Sequence, residues 1–289
     1  MSHPHPSPLA DPNAHPNARP HPSGLPLVAS DLDRTLIYSA PALGLTGPDA
    51  QAPRLLCVEV YEHKPLSFMT EEAARLLVDL AARTLFVPAT TRTPEQYLRV
   101  NLPGPTPRYA VCANGGHLLV DGESDPEWHA AVRERLTDCA PLEEVRARMV
   151  RHAHPDWLLK ERVADGLFAY LVVDRALLPD TWVKELADWA GPRGWNVSLQ
   201  GRKIYAVPRP LTKSAAVAEV ARRTGAAYTY AAGDSLLDAD LLHAADRGWR
   251  PAHGELAESG WDPPHVRPVP EAGVAAGESI LRALRAALR

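Results

Sequence analysis

Cysteine is scarce: Cys57, Cys112 and Cys139 are the only three in 289 residues, widely separated and with no Cys-x-x-Cys pair. An odd, scattered set excludes a disulfide framework and a thiolate zinc site, and it fits a reducing cytoplasm. A basic excess is missing too. With 31 Lys and Arg against 35 Asp and Glu, net charge -4 and pI near 6.3, no cationic surplus is available to hold nucleic-acid phosphates. The sequence also has no apolar run of about 18 residues and no leader with a basic start and an apolar middle, so neither a membrane nor a nucleic acid is expected as partner. No internal repeat occurs.

What is present is a composition 45% hydrophobic and 23% charged, enough for one large domain or, the better expectation, two modest ones. Residues 1–26 are Pro, His, Ala and Asn with almost no large apolar residue. They cannot bury enough surface to offset chain ordering and read as a disordered tail. Its His-Pro repeats hold imidazoles on an extended chain and define no metal site.

From Leu27 onward the pattern alternates between strand and helix. "LPLVASDLD" reads as a buried strand ending at two acids, "MTEEAARLLVDLAAR" as a helix capped by Thr70, and "TLFVPATTR" as a strand ending in hydroxyls. "RYAVCANGG" is a further strand stopped by Asn-Gly-Gly. Residues 40–68 read as a polar loop and a hairpin. Strands separated by helices predict an α/β fold, a Rossmann-like parallel sheet flanked by helices, with ligands at the carboxyl ends of the strands. Residues 117–206 break the pattern with a helical segment, a strand, a helix and two short strands, which predicts an inserted α+β cap. The parallel pattern resumes at 207–289, and "ESILRALRAALR" ends the chain as an amphipathic helix packed on the core. Four tryptophans, Trp157, Trp182, Trp189 and Trp195, are expected to fill the cap's own small core.

Four polar signals interrupt the sheet pattern at strand ends or helix starts. They are Asp31-x-Asp33-x-Thr35, Thr90, Lys213 and "GDSLLD" with Asp234 and Asp238. Each alone has a bland reading as solvated turn, strand end, surface charge or helix cap. Two carboxylates two residues apart on an extended segment point to the same side and repel, so a positive group belongs between them or they are a solvated turn.

In this order the motifs resemble those of the haloacid dehalogenase-like superfamily, in its phosphatase branch with a large cap between the second and third motifs. "TTR", "ANGG" and "LQGRKIYAVPRPLTKSAAV" are similar to that branch, which includes sucrose-phosphate and mannosylphosphoglycerate phosphatases. The resemblance implies a Mg²⁺-dependent phosphatase for a small sugar-like or polyol phosphate. Asp31 would be the nucleophile, forming an aspartyl-phosphate, and Asp33 the acid and base, its carboxyl raised toward protonation by its neighbour and by shelter from water. Mg²⁺ would be held by Asp31, the Asp33 carbonyl and Asp234. Thr90 would bind phosphate oxygens and Lys213 would offset charge. Asp238 would orient Lys213 or a water on the metal, and Leu237 stands where the family often has Asn. Thr35 bonds backbone or touches substrate, the former favoured. Arg92 meets a substrate anion or pairs on the surface, Asn114 is a hinge or sugar contact, and Gln200, Arg202 and Lys203 lie where the branch carries specificity residues. His117 and His243 are expected on helix surfaces. A non-catalytic metal-binding module and a phosphotransferase are the competing readings.

Overall fold

A computed structural model describes residues 24–288. The tail expected over 1–26 lies outside the described residues except for its last three.

Five parallel strands form the central sheet in the order β4 (Leu85–Pro88), β1 (Leu27–Ser30), β12 (Thr229–Ala232), β13 (Arg247–Arg250), β14 (Val266–Pro268). Strand β1 is buried on both faces, as expected of a parallel strand covered on each side. Its side chains alternate. Leu27 and Ala29 join the core shared with α6 (Lys213–Thr224) and α7 (Ala239–Ala244), while Val28 joins the opposite core shared with α1 (Glu71–Ala81) and α9 (Val274–Ala287). The expected C-terminal helix is therefore α9, with Ile280, Leu281 and Leu284 buried. Thr70 caps α1 by accepting from the Ala73 amide at 2.9 Å, which supplies one of the partners a helix start lacks.

Two hairpins adjoin this sheet. One is β2 (Leu55–Tyr61) with β3 (Lys64–Thr70), turned at Glu62 and His63, both left-handed, the turn geometry that suits the strands' own twist. The other joins β5 (Tyr109–Cys112) to β6 (His117–Val120) and β7 (Glu123–Ser124), and a parallel bridge from Ala89 to Val111 ties β5 to the main sheet.

Beyond lies the cap, a four-stranded antiparallel sheet in the order β10 (Trp195–Gln200), β11 (Lys203–Pro208), β9 (Phe168–Val173), β8 (Leu158–Ala164). Helices α3 (Pro126–Arg135), α4 (Leu142–His152) and α5 (Trp182–Ala190) accompany it. The single helical segment expected over 126–153 is two helices, because Cys139–Pro141 interrupts it in extended backbone. Strand β8 was not expected. Its sequence, LLKERVA, lies on an edge with four exposed residues, so it carries no apolar alternation. Trp157, Trp182 and Trp195 are buried in the cap core and Trp189 is half-buried against it; Trp182 and Trp195 donate to the carbonyls of His152 and Ala140 at 2.8 and 2.9 Å. The expected boundaries at 117 and 206 fall within β6 and β11, and we propose that the cap runs from α3 to β11.

The crossing from β5 to β6 is made by Gly115 (φ 97), where an added Cβ would lie 2.1 Å from the carbonyl oxygen of Thr212, next to Lys213. No side chain fits there. Gly115→Ala is expected to lower stability by about 2–4 kcal/mol, read as a lower urea midpoint at unchanged slope.

Candidate active site

The carboxyl ends of β1, β4 and β12 meet the start of α6, and the expected polar residues converge there. Asp31 follows β1, Asp234 follows β12 by two residues, and Lys213 opens α6. The Lys213 ammonium is fully buried and donates to Asp31 Oδ1 at 2.6 Å and Asp238 Oδ1 at 2.5 Å. Thr212 caps α6 through the Ala215 amide, and Asp240 accepts from the Ser214 amide at 2.8 Å, so the lysine is delivered by a fixed helix start. Asp238 has no capacity to spare. Its Oδ2 accepts from the amides of Asp234 and Ser235 and from the Ser235 hydroxyl.

Asp31, Asp234 and Asp238 bring carboxylate oxygens within 4.8 Å of one another, all three buried. Burial pushes Asp31 up to about 7 against the opposing charge of Lys213, and Asp238 and Asp33 add to the rise. Burial likewise lifts Asp234 well above the usual carboxylate range, aided by Asp31 and Asp238 and opposed by Arg34. Arg34, in the left-handed region at φ 67, places Nε 3.2 Å from Asp234 Oδ2. Gly254 (φ 91) seats the same carboxylate: a Cβ there would be 2.7 Å from Asp234 Oδ2. Hard oxygen donors short of positive charge fit Mg²⁺. Because both Asp238 oxygens are engaged, Asp31 and Asp234 are the side chains of this cluster left to hold a cation.

Asp33 departs from expectation. Arg92 grips both its oxygens, Nε to Oδ2 at 2.7 Å and Nη2 to Oδ1 at 2.9 Å. Burial raises Asp33, but the charge and hydrogen bonds of Arg92, joined by Lys203 and Lys213, outweigh it and hold the carboxyl at about 2. The expected tendency to keep a proton is thus reversed, because Arg92 bonds inward to this acid.

Thr90 is fully buried and its hydroxyl accepts from the Arg92 amide at 3.2 Å. Thr35 makes no backbone bond through its buried hydroxyl, contrary to the favoured reading; the turn is held by the amides of Thr35, Leu36 and Ile37 on the Leu32 carbonyl. Asn114 is buried and donates to the Leu211 carbonyl at 2.8 Å, bracing the loop before Lys213. In the cap, Gln200 donates to Ser235 at 2.7 Å, Lys203 is half-buried with its charge on Asp33, and Arg202 is exposed at the hairpin tip. Leu237 is buried in the core. His243 is exposed on α7, but His117 lies on β6, not on a helix, stacked 4.3 Å from His129.

Several residues had no signal in the sequence. Glu255, which opens the short helix α8 (Glu255–Glu258), clamps the cap to the core, accepting from the Ser198 hydroxyl at 2.5 Å and the Leu199 amide at 2.6 Å. Glu59, fully buried, meets Arg92 from the side away from Asp33. His253 bonds the Arg34 carbonyl at 2.8 Å. Each contact joins residues more than 30 apart in sequence, where no local spacing reports them.

Among solved structures, the chain is similar to the sucrose-phosphatase of Synechocystis sp. PCC6803 in complex with sucrose and phosphate, at 15% identity and TM-score 0.62, covering 91% of this chain and 98% of that one. A Thermoplasma acidophilum protein gives 14% and 0.58 over 92% and 100% of the two chains. The HAD subclass IIB sugar phosphatase BT4131 gives 14% and 0.53 over 91% and 100%. At such identities the likeness establishes the fold alone: the chain shares with these proteins an α/β core built on a parallel sheet, with a separate antiparallel cap. No family model and no curated protein matches the sequence.

The carboxylate cluster has a signed consequence. Asp31 rises from 3.8 to about 7 on folding, so the stability from its bound proton is full below about pH 4 and is lost as pH rises through about 7. A divalent cation held by the cluster would take the place of that proton. Millimolar Mg²⁺ is therefore expected to raise the melting temperature more at about pH 8 than at about pH 5, checked by thermal melts with Mg²⁺ and with EDTA.

Proposed function

We propose that the protein is a Mg²⁺-dependent phosphomonoester hydrolase acting on a small sugar-like or polyol phosphate through an aspartyl-phosphate at Asp31. The observation that carries this reading is the Lys213 ammonium held between Asp31 and Asp238, with Asp234 beside them and Asp33 two residues from Asp31. A binding module has no need of such a nucleophile and proton carrier together. Structural neighbours described as a sucrose-phosphatase and a sugar phosphatase support the same substrate class.

Lys213 fixes Asp31 Oδ1, leaving Oδ2 for phosphorus. Attack forms an O–P bond to Asp31 as the ester O–P bond breaks, and Asp33 gives a proton to the departing oxygen. Water then attacks the aspartyl-phosphate; Asp33 takes its proton, phosphate leaves and Asp31 is restored. Mg²⁺, held by Asp31, the Asp33 carbonyl and Asp234, would neutralise charge shared by carboxylate and phosphate. Thr90 and Lys213 stabilise the transferring group. Arg92 holds Asp33 ionised before substrate enters; the phosphate anion arriving beside it raises its hold on a proton, so the same fork places Asp33 for both halves. The cap strand β10, pinned through Ser198, Leu199 and Gln200, covers the cleft and keeps bulk water out.

Hydrolysis of 4-nitrophenyl phosphate with Mg²⁺ and with EDTA tests the reading. Activity is expected only with Mg²⁺, falling at least about 1,000-fold in Asp31→Asn and about 100-fold or more in Asp33→Asn. Equal rates in all three proteins would leave a non-catalytic metal-binding module. Across a panel of sugar, polyol, glycerate and nucleotide phosphates, kcat/KM is expected to be highest for a sugar or polyol phosphate.

A further inference from the structure

The hairpin β2–β3 enters the site through one residue. Val58 and Glu59 are neighbours on β2 and both buried, while Cys57 and Val60 on either side are exposed, a break in the alternation expected of a strand with one open face. The pairing with β3 shifts register on either side of Glu59. Such an irregularity re-aims a side chain, and here it sends a carboxylate inward.

Glu59 Oε2 accepts from the Ser67 hydroxyl at 2.6 Å, across the hairpin, and Oε1 accepts from Arg92 Nη1 at 2.8 Å. Arg92 completes its bonds with the Gln96 carbonyl and Ser67 Oγ, at 3.5 and 3.3 Å, and with its fork on Asp33. A guanidinium has five N–H groups, and five acceptors surround this one. Its plane is therefore fixed from both ends. Arg99 adds a second cation, Nε 3.6 Å from Glu59 Oε1. Were the hairpin only packing, apolar residues would serve as well, since a buried ion pair gains little over a hydrophobic replacement.

We propose that Glu59 is a positioning residue: it fixes Arg92 so that the opposite edge of the guanidinium holds Asp33 in line with the leaving oxygen. This rests on the phosphatase reading above. Loss of the Glu59 charge frees Arg92, and Asp33 loses its alignment for proton transfer while the nucleophile, Lys213 and the carboxylate cluster stay in place.

Two esters of similar size separate this from a structural role. 4-Nitrophenolate departs with little help from an acid, whereas the more basic phenolate needs a proton. With Mg²⁺, Glu59→Gln is expected to lower kcat for phenyl phosphate about tenfold more than for 4-nitrophenyl phosphate, with KM nearly unchanged for both. Ser67→Ala, should Glu59→Gln fail to fold, is expected to give the same difference at smaller size. Equal losses on both esters, or none, overturn the proposal. A second readout needs no turnover: the Arg92 Nε–H proton, assigned by its absence in Arg92→Lys, should exchange slowly in the wild type and rapidly in Glu59→Gln by ¹⁵N-resolved NMR. If wild-type protein cleaves neither ester, the phosphatase reading fails, and unchanged Arg92 exchange in Glu59→Gln removes the positioning role as well.

Discussion

The Lys213 ammonium, sealed between Asp31 and Asp238, is the interaction on which the site depends. Its location runs against local preference, because a cation at the first residue of a helix opposes the helix dipole. The two carboxylates offset that cost, and in doing so they join three separate parts of the chain: the end of β1, the start of α6 and the turn after β12. Removing one member of such a buried set leaves an uncompensated charge, a loss of about 3–5 kcal/mol. The neighbouring loops are shaped around it, with Gly115 yielding space to the Thr212 carbonyl, Asn114 bonding Leu211, and Asp240 holding the Ser214 amide.

A second constraint follows from charge. Asp31, Asp234 and Asp238 crowd into one pocket where Lys213 and Arg34 are the side-chain cations bonded to them. Burial makes each shared charge costly, and a proton or a divalent ion relieves it. Arg34 contributes to the same balance from a left-handed position directly after the acidic pair.

The sequence displayed three strands of the central sheet, β1, β4 and β12, and the four polar motifs because both are local signals: apolar runs ending at acids or hydroxyls, and fixed spacings such as Gly-Asp-Ser-Leu-Leu-Asp; it did not show β13 and β14, whose short segments RGWR and VRP carry no apolar run. It showed a hairpin within 40–68 as well, which the structure places at β2 and β3. It did not show β8, whose charged residues face outward on an edge, nor the break between α3 and α4. The partners of Asp33 were hidden for a different reason. Arg92 was visible, but its inward orientation depends on Glu59, and Glu59 is aimed by a register shift that no periodicity announces. Likewise Glu255 reads as an ordinary first-turn acid until Ser198 and Leu199 are brought against it.

Asp33 is the point at which these parts act on one another. Arg92 approaches it from the core and Lys203 from the cap, and both charges hold it low against burial. Arg92 is in turn secured by the hairpin through Glu59, and Lys203 stands on β11, paired in register with Gln200 of the clamped strand β10. The state of this one carboxyl is therefore set by three segments distant in sequence, while Asp31 is set by Lys213 and the cluster around it. Separate control suits the proposed chemistry: Asp31 must stay fixed through both halves of turnover, whereas Asp33 must change its proton between them.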